Sequence, residues 1–492
     1  MAPTSEHRGH APVISILLLA ALVLAAALSL RDSHPPAPLP HDVPATVFSA
    51  SRAMDVLQRV LGDERPHPTG SAANAAVRDR IVNELAALGL QPEVRARFSC
   101  NWRHCATVEN ILARLPGESP GQAVLLSAHY DSVAAGPGAS DDGAGVAALI
   151  EVVRALQAGP PLPRDVWVLL NDGEELGLLG AEAFARSPEF QRIATVVNLE
   201  ARGTSGASLL IETQQGNAGV IDAVRESLAR PAGSSLDYEI YKTLPNDTDF
   251  TVYRKAGLAG TNFAWARDPA RYHTPLDDLA HLDAGSLQHH GDNTLGMVRA
   301  LAAGGDALHA AQDAQFFDVL GVAMVTWPVS WNLALLVVAL LAWGGWMLRQ
   351  VRAGQVRMAS LLLAGSGSLL ALLLLALVAW AWYALLGAAG AMPATWTAQA
   401  ASLVAGFLLL ALLVACVLAR PAVRRLGAPA VVSGSLVPFA LVAIFTTLAM
   451  PGATYMGLVP LLAGAFAGHA WLRRPILAGG FAAVVAAALW ST

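Results

Sequence analysis

A series of histidine and carboxylate residues stands at the ends of apolar runs in the first 300 residues, each flanked by small side chains that leave it room. They are His129 and Asp131 in Ser-Ala-His-Tyr-Asp-Ser, Asp141 in Gly-Ala-Ser-Asp-Asp-Gly-Ala-Gly, Glu174 and Glu175 in Asn-Asp-Gly-Glu-Glu-Leu-Gly, Glu200 in Asn-Leu-Glu-Ala, and His273 in Arg-Tyr-His-Thr-Pro. Imidazole and carboxylate donors suit zinc, and five such ligands could hold two ions if one carboxylate bridges. Asp141 is the natural bridge, because its glycine-rich turn lets the backbone approach. Of the adjacent pair Glu174 and Glu175, one can bind metal while the other, left free, takes a proton from an attacking water.

Taken singly, each element is ordinary. A His-x-Asp after a strand is usually plain hydrogen bonding, Glu-Glu before a helix complements the helix dipole, and Ser-Asp-Asp-Gly is a common turn. Their order on one domain is what chance does not readily supply. The series resembles the co-catalytic zinc aminopeptidases of clan MH over about residues 50–305, and most of all their membrane-bound branch, which includes the fungal vacuolar membrane protease and the endoplasmic reticulum metallopeptidase. The resemblance implies a mixed central sheet flanked by helices, removal of amino-terminal residues from peptides, and two zinc ions. One zinc would be held by His129, Asp141 and Glu200, the other by Asp141, Glu175 and His273, with Glu174 as general base. Asp131 is expected to accept the second ring N–H of His129. Tyr272 would help stabilise the tetrahedral oxyanion, as a tyrosine does there in some secreted members. The chain departs from those secreted members at Glu200, where they carry Asp. Asn246-Asp247-Thr248-Asp249-Phe250 resembles a Ser-Asp-Thr-Asp-Phe stretch of the membrane-bound branch and is read as a pocket wall, or else as a helix N-cap.

The elements that must position these residues are legible as alternating apolar runs and helical periodicity between about 48 and 310. Val124 to Ser127, Val166 to Leu170 and Ala194 to Leu199 read as strands. This is an α/β pattern with functional groups at the carboxyl ends of strands.

The rest of the chain is of another kind. From Val319 to Thr492 there is no Asp, Glu or Lys, and the ionic residues are eight Arg. Six apolar segments are expected to form a transmembrane bundle over 328–492, near 328–348, 360–386, 399–419, 430–449, 454–471 and 475–490. Arg349, Arg352 and Arg357, then Arg420, Arg424 and Arg425, then Arg473 and Arg474 fall in alternate loops. The positive-inside rule puts those loops in the cytoplasm and the α/β domain on the other side. Val13 to Leu30, within residues 1–33, reads as a signal anchor, with Ala25-Ala26-Ala27 offering a cleavage site if it is instead a signal peptide. Either way the α/β domain is exported. Residues 34–47 carry five prolines and read as an extended linker. Phe316 to Trp327, in a connector at 311–327, is apolar around Asp318 and reads as interfacial or as a cap. His469 is expected to serve packing or helix–helix hydrogen bonding. The excess of Arg over Lys suggests a GC-rich genome and, with the compact bundle, a bacterial inner membrane with a periplasmic catalytic domain.

Residues 1–318 are acidic, which excludes nucleic-acid binding. Cys100 and Cys105 are expected to form a local disulfide in an exported segment, the alternatives being a metal site with His104 or two free thiols; Cys416 stands apart. No His-Glu-x-x-His is present to suggest a single-zinc endopeptidase. Three competing readings are a catalytically inactive receptor or scaffold of the same fold, a single-zinc glutaminyl-cyclase-like enzyme, and a transporter whose bundle is the working part.

Overall fold

A computed structural model describes residues 34–119, 121–244, 247–304, 308, 312–388, 418 and 421–468. Residues 34–326 form one compact unit and the described residues from Trp327 onward form another. The expected anchor at 13–30, the segments at 399–419 and 475–490, and Asn246, Cys416, Arg420, His469, Arg473 and Arg474 lie outside the described residues, apart from Leu418.

The first unit begins with the proline-rich stretch, which is irregular as its composition requires but is held against the domain. Leu39 N donates to Gln288 Oε1 (3.0 Å), Ser49 Oγ to Pro40 O (2.9 Å), and Arg52 Nη1 to His41 O (2.6 Å). Helices α1 (Ala50–Leu61) and α2 (Ala72–Ala87) come next, each started by a serine, Ser49 or Ser71, whose hydroxyl accepts a first-turn N–H. Strands β1 (Glu93–Cys100) and β2 (Cys105–Leu115) make a hairpin in which Cys100 and Cys105 are cross-strand partners joined by a disulfide, as expected.

The chain continues through β3 (Ala123–His129), α3 (Gly145–Gln157), β4 (Val166–Asn171), α4 (Leu179–Ala185) and β5 (Ile193–Ala201). Then come β6 (Leu209–Thr213), α5 (Ala218–Ser227), α6 (Ser235–Tyr241), α7 (Asp249–Lys255), β7 (Ala259–Trp265) and α8 (Ala284–Ala303). The seven strands form one mixed sheet in the order β1-β2-β4-β3-β5-β7-β6. Its centre, β4-β3-β5-β7, is parallel, and the flanking pairs are antiparallel.

Both faces of the central strands are covered, which is why those runs are continuously apolar rather than alternating. On one face Val124, Leu126, Val166, Val168 and Leu170 pack with Leu57, Leu149 and Val298 of α1, α3 and α8. On the other Leu125, Trp167 and Leu169 pack with Phe184, Phe190 and Tyr253 of the α4 and α7 side. The parallel strands end together, and the loops leaving them meet at one edge of the sheet.

Phe316–Trp327 belongs to a two-stranded hairpin, β8 (Ala314–Val319) and β9 (Ala323–Pro328). Phe316 and Phe317 are buried, and Asp318 accepts from Gly233 N (3.1 Å), so β8 is tied into the α/β unit.

In the second unit, α9 (Asn332–Arg352), α10 (Met358–Ala388), α11 (Ala428–Ser435), α12 (Val437–Ala449) and α13 (Tyr455–Gly468) are described. Three spans, Val329–Arg352, Met358–Ala388 and Ala428–Ala449, are long and apolar enough to cross a membrane. Leucines that soluble proteins bury stand exposed on them, among them Leu341, Leu373 and Leu448. Close helix approach rests on small residues, the pattern expected where no hydrophobic effect draws helices together. A Cβ on Gly434 would lie 2.6 Å from Ala364, and one on Gly457 would lie 2.3 Å from the Ala443 nitrogen.

Candidate metal centre

The strand ends bring the expected ligands together. His129 is the last residue of β3, and Glu200 lies next to the end of β5, the neighbouring strand. Glu174 and Glu175 come after β4, Asp141 lies in the turn Ala139–Ala144 that leads into α3, and His273 sits in the loop after β7. His129 Nε2 is 3.3 Å from Asp141 Oδ1 and 3.8 Å from Glu200 Oε2. His273 Nε2 is 3.1 Å from Asp141 Oδ2 and 3.2 Å from Glu175 Oε1. In each of the two triads the ligand atoms all lie within 4.8 Å of one another. The two triads share Asp141, one oxygen facing each imidazole.

Local backbone explains how the turn reaches this place. Gly138 has φ +65°, and a Cβ there would be 2.5 Å from Asp141 O, so only glycine fits. Asp142 is not in either triad. Its carboxylate accepts from His129 N (3.2 Å) and Gly145 N (3.1 Å), tying the turn to the end of β3. His273 itself has φ +57°, a left-handed conformation uncommon outside glycine.

Asp131 does a different job from the one its spacing suggests. His129 Nδ1 is 3.0 Å from the main-chain oxygen of Asp131, whereas the carboxylate Oδ1 is 3.6 Å away. That carboxylate instead accepts from Glu174 N (3.0 Å), Glu175 N (3.2 Å) and Thr69 Oγ1 (3.1 Å). The backbone of one residue thus orients the imidazole and its side chain fixes the Glu-Glu loop.

The electrostatics describe a site that calls for positive charge. Burial works against a charged His129, yet the nearby carboxylates of Asp131 and Asp141, and those of Glu174 and Glu200, raise it well above its ordinary value. His273, also opposed by burial, is raised to about 9 by Asp141 and Glu175. Burial raises Glu174 and Glu200, each further raised by neighbouring carboxylates and opposed by His129. Glu200 Oε1 is buried without a hydrogen-bond partner among the described residues, and the buried Glu175 Oε1 has none beyond the His273 imidazole 3.2 Å away. Buried carboxylate oxygens are left in that state at sites built for cations. The donor set and the orphaned oxygens fit zinc.

A cavity of about 420 Å³ opens over the centre, lined by Asp141, Glu174, Glu175, Glu200, Arg202 and Tyr272 and walled further out by Trp102, Asp247 and Thr251. Of the Asp247-Thr248-Asp249-Phe250 stretch, Asp247 lines the pocket, and Thr248 stands at the N-cap of α7 without a side-chain capping hydrogen bond. Tyr272 stacks on His273 with ring centroids 3.7 Å apart. Burial and Asp141 raise its phenol above the ordinary value against the pull of Arg202, so it remains a donor.

Three contributors were not singled out from sequence. Asp277 accepts from Ser140 N (2.7 Å) and Asp141 N (3.2 Å), clamping the bridging turn; its carboxyl is raised to about 7 by burial and by Asp141. Its signal is position, four residues beyond His273 in His-Thr-Pro-Leu-Asp. Arg202 lies two residues beyond Glu200, the strand period that returns a side chain to the same face. Asn101, at the tip of the disulfide hairpin, donates to Leu176 O (2.8 Å) and Gly177 O (3.0 Å), bracing the loop that carries Glu174 and Glu175.

Residues 110–298 match the model of Peptidase family M28. The match lies within the α/β unit and runs from β2 to α8. The chain is 30% identical over 309 residues to endoplasmic reticulum metallopeptidase 1 of Mus musculus, covering 57% of this chain and 34% of that one. It is 32% identical over 294 residues to the vacuolar membrane protease of Yarrowia lipolytica, covering 54% and 29% respectively. The chain thus spans about a third of the length of these curated relatives. A solved Zn-dependent exopeptidase from Parabacteroides distasonis aligns over 51% of this chain and 98% of its own, with TM-score 0.41 and 18% identity.

Proposed function

We propose that this chain is a membrane-anchored aminopeptidase using two zinc ions, with its catalytic unit outside the cytoplasm. The observation that carries the reading is the Asp141 carboxylate, whose oxygens stand 3.3 Å from His129 Nε2 and 3.1 Å from His273 Nε2 and so serve two triads at once. A single-zinc cyclase would leave one of the two triads without an ion, and a receptor would not need a buried carboxylate such as Glu174 beside them. His129, Asp141 and Glu200 would hold one ion and Asp141, Glu175 and His273 the other. The ions would supply Lewis acidity, which lowers the pKa of a water and offsets negative charge developing on a carbonyl oxygen.

The chain's own groups do the rest. Glu174, buried beside the two triads, takes a proton as the water oxygen bonds to the scissile carbonyl carbon. The Tyr272 hydroxyl donates to the tetrahedral oxygen. The proton then passes from Glu174 to the leaving nitrogen as the C–N bond breaks. Arg349, Arg352 and Arg357, between the first two apolar spans, support placing that connection in the cytoplasm and the catalytic unit in the periplasm of a Gram-negative host.

The test is zinc content and hydrolysis of aminoacyl reporters by the purified full-length protein, before and after chelation. Two zincs per chain with chelation-sensitive release of the amino-terminal residue is the expected result. One zinc with pyroglutamate formation from amino-terminal glutamine, or no zinc at all, overturns the reading.

A further inference from the structure

Resting on that peptidase reading, we infer that Arg202 makes this site select substrates that carry a carboxylate close to the scissile bond. Glu200 and Arg202 leave the end of β5 two residues apart, so both reach the cavity, and both line it. The Arg202 backbone is fixed by its N–H donating to Trp265 O (2.8 Å). Its guanidinium carbon lies 5.5 Å from the Tyr272 ring centroid, a cation–π arrangement that holds the plane of the side chain beside the proposed oxyanion donor.

Its missing partner is the informative feature. Six carboxylates, Asp141, Glu174, Glu175, Glu182, Glu200 and Asp247, line the same cavity. Yet among the described residues the Arg202 side chain forms no ion pair and no hydrogen bond. Other half-buried arginines in this unit do find carboxylates, as Arg52 does with Glu151 (2.8 Å) and Arg254 with Glu212 (2.8 Å). A guanidinium has five donors in a planar fork and no acceptor capacity, so a fixed, unpaired one facing a cavity fits a planar anion bidentately. Lysine would present only a point charge. Asp141, Glu175 and Glu200 are assigned to the metals and Glu174 to the water, and among the described residues neither they nor Glu182 and Asp247 pair with Arg202, which leaves it for substrate.

The carboxylate has two sources, the free α-carboxylate of a di- or tripeptide or an acidic side chain next to the scissile bond. They share one chemistry and are separated by the assay. Matched peptides Ala-Ala, Ala-Ala-amide, Ala-Glu-amide and Ala-Gln-amide are offered to the zinc-loaded full-length protein and to Arg202→Gln and Arg202→Lys, with thermal unfolding as the folding control. The same four are titrated calorimetrically into Glu174→Gln and into the Glu174→Gln, Arg202→Gln double variant, which report binding without turnover.

A lost charge-assisted pair is expected to cost roughly 10- to 100-fold in affinity. Carboxylate peptides should therefore bind and react about that much better than their amides, with the ratio falling to near one in Arg202→Gln and only partly in Arg202→Lys. Preference for Ala-Ala over its amide marks the α-carboxylate; preference for Ala-Glu-amide over Ala-Gln-amide marks the side chain. Equal handling of acid and amide by the wild type overturns the inference, as does a preference that survives Arg202→Gln and disappears in Lys255→Gln, the other cation of the cavity wall. Binding selectivity without hydrolysis would sink the peptidase reading and leave the role of Arg202 standing.

Discussion

Asp277 tests whether the bridging turn is held for the metals or merely for the fold. Its carboxylate, in a residue only 2% exposed, accepts two main-chain N–H groups, Ser140 N at 2.7 Å and Asp141 N at 3.2 Å. Asp277→Ala strands both donors in a buried place, and an unsatisfied buried group costs about 1–3 kcal/mol, so the metal-free protein should lose about 2–6 kcal/mol. Asp277→Asn keeps one oxygen and should lose about half of that. Because Asp141 is the next carboxylate along, loosening its amide should also weaken zinc about 10- to 100-fold, the usual scale for groups that support a ligand. That adds about 1.4–2.7 kcal/mol per ion to the loss measured in saturating zinc for the parent protein. Denaturant unfolding of the α/β unit with and without zinc, followed by near-UV signal, and competition against a chromophoric chelator give both numbers. A folded Asp277→Asn that binds zinc as tightly as the parent, with the same stability loss in both conditions, would show that the turn does not depend on this clamp for metal binding.

Glu174 and Glu175 should separate chemistry from metal binding. Glu174→Gln is expected to cut turnover by roughly 10²-fold or more with both zincs retained, whereas Glu175→Ala should lose zinc together with activity; zinc per chain and aminoacyl release decide it. Cys100 and Cys105 should resist alkylation until reductant is added, and breaking their short loop should cost at most about 2 kcal/mol in denaturant unfolding. An alkaline phosphatase fused after Thr492 should be active if the six-segment count is right; a well-expressed but inactive fusion would put the carboxyl terminus in the cytoplasm.

How much of this was legible in the sequence depended on how narrowly chemistry restricts residue type. Val166 to Leu170 reads as a strand because covering both faces leaves no position for a polar residue. The structure extends it by one residue, to Asn171, where the strand turns to polar contacts. His129, Asp141, Glu175, Glu200 and His273 were legible for a similar reason, since few side chains can donate to zinc and here they recur at strand ends. Groups that only accept from backbone or wall a cavity obey no such restriction. Asp277 could be read as any turn aspartate, and Arg202 as a solvated end of β5. Asp131 shows the limit in one residue: its importance came from its distance to His129, but its side chain serves Glu174 and Glu175 and its carbonyl serves the imidazole. Spacing reports which residues are neighbours, not which of their atoms face one another.

The same distinction governs the apolar segments. Phe316 and Phe317 have the composition of an interfacial anchor, and composition alone cannot say whether lipid or protein removes them from water. Their strand, β8, resolves it through Asp318, whose carboxylate accepts from Gly233 N and Gly321 N inside the α/β unit. Leu341, Leu373 and Leu448 are no more apolar than those phenylalanines, yet they remain exposed on helices long enough to span a bilayer. A buried acceptor beside an apolar run marks a protein partner, because a carboxylate facing hydrocarbon would have no donor to satisfy it. From Val319 onward no carboxylate side chain remains in the chain, so the change of solvent is written in the polar residues rather than in the leucines.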